Sequence, residues 1–501
     1  MDQSGSDREQ AELLESFGYK QELSRDINRF SSFAASFSGI SITTSMFLLL
    51  PFLLTQSGTA GLWTWIISSV GAFLVALVFA DLVGRIPVSG YAYQWSSRLS
   101  NARFGWYVAT AGLIGFGVGC AGTIYGVTPF FLTEFGITVN TTSNIIGAIV
   151  LTVIVATINI NGIRLVKRIN NAAVVTELFS ALGVGLGLLI YAAFKHPHNV
   201  SYLFHEQPGA NGGYAGAFIL AFLVGAFTYA AWELPADLAE ETEDAPNVAA
   251  RTMLTSIVAV AIAGLVLLVS YSYASPGIAK TLGQSVPVLY ILEYQWGSTV
   301  KDIINVIFLV GFFATSMLIM TGAARLLFSL SRDNMAPFSQ QFRRVSRRHK
   351  VPHMAIIGVS IFAIVMFTVP ALISTTALSY VIGTASVGYN LVYLLMCGLF
   401  IVKVRKGTLP RSFGRFTLGR WAEPVAWAAT LWQLFLIGTL TLPKINQKVG
   451  LTALGMFAVA TVWFVVHVVP KTKSGEAGPA SRTGADAGTA AAPTVATAIE
   501  R

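Results

Sequence analysis

Charge is what this 501-residue sequence has least of. Asp, Glu, Lys and Arg make up only 11% of it, whereas a soluble domain needs roughly a quarter to cover its surface. That composition excludes a soluble globular protein. Cysteine is nearly missing: Cys120 and Cys397 are the two, both inside apolar runs. Neither a disulfide framework nor a thiolate metal site follows from them. The six histidines, at 196, 198, 205, 349, 353 and 467, are scattered, without the paired spacing of a metal-binding helix. No GxxxxGK[ST] phosphate loop occurs, which argues against a primary pump. An enzyme is therefore not expected, nor any metal or cofactor. The first thirty residues are polar and acidic, unlike a cleaved signal peptide, so the first apolar run is expected to act as the uncleaved insertion signal.

Apolar sequence is what the chain has in abundance, with a mean hydropathy of +0.64. A spanning helix needs about 20 apolar residues. Twelve runs of that kind lie near 31–54, 62–84, 104–133, 144–162, 169–194, 216–238, 252–274, 302–330, 354–373, 376–402, 424–442 and 451–469, with Pro370 marking the division of 354–402. The net charge of +9 resolves into loops: 331–353 carries Arg332, Arg343, Arg344, Arg347, Arg348 and Lys350, and 403–420 carries Lys403, Arg405, Lys406, Arg411, Arg415 and Arg420. The short connection near 371–375 between them is uncharged. This alternation obeys the positive-inside rule for twelve spans with both termini cytoplasmic, and it removes nucleic acid as the reason for the basicity. Residues 1–30 read as a cytoplasmic leader, 31–470 as the membrane domain and 471–501, rich in Ala, Gly, Thr and Pro, as a disordered cytoplasmic tail. The stretch 9–29 reads as an amphipathic segment, with a solvated leader favoured over a gate-associated one.

Two apolar runs are interrupted. The first carries Ser36, Ser38, Gly39, Ser41, Thr43, Thr44 and Ser45 in one half. Small residues suit tight helix packing, yet Gly39 between Ser38 and Ser41 is also where an unwound turn would aim free amides at an anion. The sixth run breaks at Phe227-Thr228-Tyr229-Ala230-Ala231-Trp232-Glu233 and leaves through an acidic cluster. An aromatic interfacial belt is the plain alternative. Paired interruptions in two halves of a chain point instead to a midplane site between inverted repeats, the mark of a secondary transporter. The halves would be spans 1–5 and 6–10, with spans 11 and 12 outside the repeat.

Four stretches carry a family resemblance. Phe37-Ser38-Gly39-Ile40-Ser41 resembles a broken first helix. Gly84-Arg85-Ile86-Pro87-Val88-Ser89-Gly90-Tyr91-Ala92-Tyr93-Gln94-Trp95 resembles a P-x-S-G-G-x-Y-x-W motif, with one glycine after Ser89 where the motif has two. Leu238-Ala239-Glu240-Glu241-Thr242-Glu243-Asp244-Ala245-Pro246 resembles EET-x-[DN]-[AP]-P, and the stretch from Arg325 to Pro337 resembles A-R-x-x-[FY]-[AS]-x-[AS]-R-D-x-x-x-P. Together they resemble permeases of the amino acid–polyamine–organocation superfamily, and the leader LLESFGYKQELSR resembles the amino acid/choline branch. The resemblance implies an all-α integral membrane protein with twelve transmembrane helices. It implies a leucine-transporter-like 5+5 inverted repeat followed by two C-terminal helices. Many relatives have Gly-Phe-Glu or Gly-Tyr-Asp where this chain has Ala231-Trp232-Glu233; Trp232 is expected to reshape the pocket.

The expected substrate is an amino acid or related amine such as GABA, moved by alternating access across the plasma membrane. Choline or polyamine transport, amino-acid exchange, and a transporter-derived sensor or channel are the alternatives. The expected substrate contacts are Phe37, Ser38, Gly39, Ile40, Ser41, Phe227, Tyr229, Ala230 and Trp232. Ionisable groups inside spans are functional candidates by default. Glu177, where some relatives resemble one another in carrying lysine, reads as a proton carrier, beside the rival roles of an ion pair, a ligand for a cationic substrate, or a hydrogen-bonded structural group. Glu233 reads as orienting the broken helix or meeting the substrate amine, or as a plain interface residue. Thr315 and Ser316 would complete an oxygen site if sodium drives transport, although such hydroxyls commonly bond their own helix. Protons are the expected driving ion, with sodium kept open. Glu240, Glu241, Glu243 and Asp244 are expected mostly as solvated loop charges, with Arg85 or Arg251 as partners for any that steady a gate. Oligomeric state is not readable from the chain.

Overall fold

The computed structural model describes residues 3–195, 198–207, 214–284 and 286–479; positions 480–501, most of the expected tail, lie outside the described residues. The described residues form helices and connecting segments, with no strand beyond an isolated bridge between Ile27 and Thr242. In chain order the helices are α1 (Gln3–Ser16), α2 (Arg29–Ile40), α3 (Ile42–Ser57), α4 (Thr64–Arg85), α5 (Tyr91–Leu99), α6 (Ala102–Glu134), α7 (Thr141–Ile160), α8 (Ile163–Leu178), α9 (Gly185–Lys195), α10 (Tyr214–Thr228), α11 (Leu234–Asp237) and α12 (Ala245–Ala274). They continue as α13 (Ile278–Leu282), α14 (Pro287–Trp296), α15 (Ser298–Arg332), α16 (Ser339–Phe342), α17 (His353–Ile373), α18 (Thr375–Arg405), α19 (Ala422–Thr441), α20 (Gln447–Trp463) and α21 (Val469–Lys473).

Among the described residues, eleven helical segments are long and apolar enough to cross a bilayer. This is a multi-pass membrane protein. The first segment, Arg29–Ser57, counts as one only across the break between α2 and α3. The sixth expected run is the one that falls short. Its helix α10 is 15 residues long, less than the ~20 a continuous span requires, and the backbone then leaves the helix until α11. The chain does part at 373–375, between α17 and α18, close to Pro370.

Helix starts follow from local sequence. Asn28, Asn101 and Asn140 each accept a hydrogen bond from the third residue of the helix they precede, satisfying an amide that has no intrahelical partner. Burial sorts the helices into layers: 89% of the apolar window of α6 is buried, against 11% for Gln447–Lys473. Helix α6 is therefore central, while α20 presents Leu451, Leu454, Val459 and Val462 outward, as lipid contact demands. Helices α6 and α18 meet at backbone distance. A Cβ on Gly388 would sit 2.5 Å from the Gly115 nitrogen and 2.7 Å from the Ala111 carbonyl, the close approach that small residues permit between membrane helices.

The leader does not float free. Leu14, Tyr19, Leu23 and Ile27 are buried against the face that carries the arginine-rich loops, called the basic face below. The amphipathic segment is thus packed rather than solvated, because its apolar residues find a groove among the helix ends.

Candidate functional site

The first break falls at Ser41, two residues beyond Gly39. Ser41 lies in the left-handed region (φ 42°, ψ 84°) and serves at once as C-cap of α2 and N-cap of α3. Its amide donates to the Phe37 carbonyl (2.9 Å) and its Oγ accepts from the Thr44 amide (3.3 Å). The first amides of α3 have no intrahelical partner, as at any helix N-terminus. Gly39 acts through its missing side chain: a Cβ there would lie 2.6 Å from Leu234 Cδ1 and 2.9 Å from the Ala231 carbonyl oxygen. It lets the first helix touch the second break directly.

That second break runs from Tyr229 to Glu233, between α10 and α11, with Ala231 at φ 61°. Ser36 Oγ donates to the Trp232 carbonyl (2.7 Å) and pins the irregular stretch of chain to α2. Both breaks therefore lie side by side, each supported by the other helix. Irregular backbone at this depth is tolerated where it lines a protein cavity.

Such a cavity is present, about 30 Å³ in volume, walled by Gly39, Ile40, Thr44 and Ser45 of the first helix pair, and Phe227, Ala230 and Ala231 of the second. The other walls are Gly119 and Thr123 of α6, Thr315 and Ile319 of α15, and Ala385, Ser386 and Tyr389 of α18. At this volume it admits about one or two waters; a larger guest requires the walls to part. Of the expected substrate contacts, Gly39, Ile40, Phe227 and Ala230 stand on its wall, as does Thr315 of the expected ion-coupling residues. Phe37 is buried and stacked on Phe33 (5.8 Å), and Ser38 and Ser41 lie toward Glu177. Tyr229 and Trp232 point to the far side of the break: Tyr229 stacks on Trp65 (4.9 Å) and its hydroxyl meets Ser69 Oγ (2.6 Å). Trp232 packs between Phe79 (5.1 Å) and Tyr393 (5.3 Å), so it braces the break from behind and leaves the cavity's shape to smaller residues. Sequence reasoning missed Tyr389 and Ser386. Their signal was Ser386-Val387-Gly388-Tyr389-Asn390, a small and polar stretch inside an apolar run.

Glu177 is buried on α8, one residue before that helix ends and a π-helical turn at Phe179–Val184 follows. Ser41 Oγ donates to its Oε1 (2.6 Å) and sits 2.6 Å from Thr44 Oγ1, which lies 3.4 Å from Thr315 Oγ1. Glu177 Oε2 has no hydrogen-bond partner, and the carboxylate stands 3.0 Å from where a Gly311 Cβ would be. None of the ion pairs among the described residues includes it. Thr315 and Ser316 both donate to carbonyls of their own helix, Gly311 (2.9 Å) and Phe312 (2.9 Å). Glu233 is buried elsewhere, at the start of α11, where Tyr393 donates to its Oε2 (2.7 Å).

Two broken helices meet at a cavity, and a buried carboxyl abuts one of the breaks. Comparison with known proteins finds the sequence pattern of the amino acid permease family across residues 27–466. The chain belongs to that family. Relatives include Amino-acid permease 2 of Neurospora crassa, 27% identical over 91% of this chain and 87% of its own length. The GABA-specific permease of Saccharomyces cerevisiae is 24% identical over 88% and 79%, and thiamine transporter thi9 of Schizosaccharomyces pombe 23% over 85% and 78%. The membrane domain is thus that of a transporter.

On the basic face the permease is closed by buried ion pairs. Arg325 donates to Glu241 through Nε (2.8 Å) and Nη2 (3.2 Å), and Arg332 to Glu240 through Nη1 (3.1 Å) and Nη2 (2.9 Å). All four side chains are at most 1% exposed. The expectation of solvated charges therefore holds for Glu243 and Asp244, which are exposed, and fails for Glu240 and Glu241. Their partners come from the end of α15; Arg85 instead pairs with Asp81. The reason is the Ser89-Gly90 turn, whose amides donate to Glu240 (3.3 Å) and Asp237 (3.1 Å) and draw the acidic segment under the helices.

The leader straps this closure. Tyr19 donates to Asp333 (2.9 Å), its ring lies 3.6 Å beneath the Arg332 guanidinium, and Gln94 donates to its hydroxyl (2.9 Å). Tyr93 also donates to Asp333 (2.7 Å). Ile27 exchanges backbone bonds with Glu241 and Glu243 (2.9 Å each), and Gln21 donates to the Glu240 carbonyl (2.9 Å). Burial, and next the Asp333 carboxylate, hold the Tyr19 hydroxyl well above the usual tyrosine range, so it keeps its proton as a donor.

The opposite side of the permease is closed by rings. Phe47 of α3 packs against Phe308 (4.4 Å), Phe312 (5.4 Å), Phe130 (5.5 Å) and Tyr271 (6.2 Å). Farther out, Trp63 stacks on Phe204 (5.1 Å) and donates to the Leu203 carbonyl (3.2 Å).

Proposed function

We propose that the permease moves an amino acid or related amine by secondary active transport, with protons as the driving ion. The observation that carries this reading is the meeting of the two helix breaks, at Ser41 and at Ala231, beside one small cavity. The amides at the start of α3 suit a substrate carboxylate, and the carbonyls that end α10 suit its ammonium. Closure on both sides supports alternating access: release of the ring cluster around Phe47 opens one side, and release of the Arg325–Glu241 and Arg332–Glu240 pairs opens the other. The placement of a broken helix at the head of each half supports a 5+5 inverted repeat, the first from α2 through α9 and the second from α10 through α18, with α19 and α20 making twelve spans in all. The basic face then lies in the cytoplasm with both termini, and the plasma membrane is the proposed location.

Glu177 supports proton coupling. Burying a carboxylate without a counter-charge is costly, whereas a proton taken up and given back there changes the contacts of Ser41, and with them the first break. Sodium would instead need Thr44 and Thr315 beside the carboxylate as hard oxygen ligands. Uptake into proteoliposomes under an imposed pH gradient, a sodium gradient, or neither tests the reading. Accumulation driven by protons alone supports it; accumulation driven by sodium alone moves the coupling to the Thr44–Thr315 side. Downhill exchange only, or none, defeats the symport reading.

A further inference from the structure

Resting on the reading of the cavity as the substrate site, we infer that the substrate is a small neutral α-amino acid, and that Tyr389 receives the side-chain hydroxyl of serine or threonine. Three observations narrow the class. The cavity wall has no Asp, Glu, Lys or Arg. A cationic side chain, a polyamine or a second carboxylate would be left there without a partner, and a buried unpaired charge is strongly rejected. Glu177 accepts from Ser41 and Glu233 from Tyr393, and neither carboxyl stands on the cavity wall.

Aromatic rings are the second observation. A quaternary ammonium is held by several ring faces, but Tyr229 and Trp232 are turned behind the break and occupied by Trp65, Phe79 and Tyr393. Phe227 and Tyr389 are the wall's two rings, too few for a cage. Third, the two breaks touch, with Gly39 against the Ala231 carbonyl. Residues of both breaks line the one small cavity, a span that fits a carboxylate and an ammonium on the same carbon better than the three-carbon separation of a γ-amino acid.

The side-chain end of the cavity is set by Gly119, Thr123, Ile319, Ala385, Ser386 and Tyr389. Tyr389 is buried and packed edge-on against Phe116 (5.0 Å), and its hydroxyl has no hydrogen-bond partner. A buried hydroxyl left unpaired is costly, and a substrate hydroxyl supplies both a donor and an acceptor. A methyl side chain fits the same small-residue floor without using it.

The test is uptake by the purified full-length protein in proteoliposomes, with serine, threonine, alanine, 2-aminobutyrate, GABA, lysine, spermidine, choline and thiamine as substrates. Serine, threonine and alanine are expected to accumulate, and threonine to be taken up with about five- to ten-fold higher affinity than 2-aminobutyrate, which lacks only the hydroxyl. In Tyr389→Phe that preference should disappear, with serine and threonine weakened about five- to ten-fold relative to alanine. Accumulation of GABA, a cation or choline in preference to these would overturn the substrate class while leaving the transporter reading intact. Failure to accumulate any compound would remove the transporter reading itself. Equal affinity for threonine and 2-aminobutyrate in the wild type overturns the Tyr389 assignment even if the variant does not fold, and so does a Tyr389→Phe loss shared equally by alanine.

Discussion

At the scale of single residues, the permease concentrates its unusual choices at the two breaks. Ala231 holds φ 61° where the family resemblance expects glycine, and an L-residue in that region costs roughly 1–2 kcal/mol. Ala231→Gly is therefore expected to keep transport and to raise the thermal midpoint of the detergent-solubilised protein, by no more than a few degrees. Gly39 works the other way, since its missing Cβ is what lets Leu234 and the Ala231 carbonyl approach. Gly39→Leu should weaken substrate binding about ten-fold or more; unaltered affinity in a scintillation-proximity assay would contradict that contact. Glu177→Gln keeps the Ser41 hydrogen bond and removes the exchangeable proton. Accumulation under a pH gradient should then fall to simple equilibration while counterflow exchange continues, and retained accumulation would remove Glu177 from the coupling.

At the scale of elements, the leader is the clearest case of tertiary context overriding a local reading. The sequence LLESFGYKQELSR contains apolar residues too sparse to demand a core, so it reads as solvated; only the folded helix ends reveal the groove that takes Tyr19, Leu23 and Ile27. Tyr19→Phe deletes a hydroxyl bonded to Asp333 and should make the basic face open more often. A cysteine placed on α11 as Ala236→Cys, buried in the closed form, should then be alkylated roughly five-fold faster. Glu241→Gln breaks the buried pair with Arg325. Removing one partner of such a pair costs about 3–5 kcal/mol, so labelling should accelerate further. The pH response of the strap has a definite sign. Because the Tyr19 hydroxyl sits above its usual range, the latch is intact at lower pH and is lost only as pH rises toward that raised value. Labelling of the Ala236→Cys variant, with Glu177 also replaced by Gln, should thus be flat between about pH 5 and 9, and a marked change across that window would assign the latch to another group.

At the scale of the whole molecule, the fold class was legible because lipid imposes a length and a polarity that any run of residues must meet. The breaks were legible too, since Ser38–Ser41 and Phe227–Glu233 violate that demand. What could not be read was direction. A period-3.6 pattern places Tyr229 and Trp232 near a break without saying which side their rings face, and it gives no warning that Glu240 and Glu241 meet arginines more than eighty positions later. Rings close one end of the transporter and ion pairs the other, and the two kinds of closure answer differently to heat. Exposing Phe47 and its neighbours to water raises the heat capacity, whereas exposing charged groups lowers it. The equilibrium between the two open forms must therefore bend with temperature, and cooling, which weakens apolar contact, should tip the resting population toward the side the rings guard.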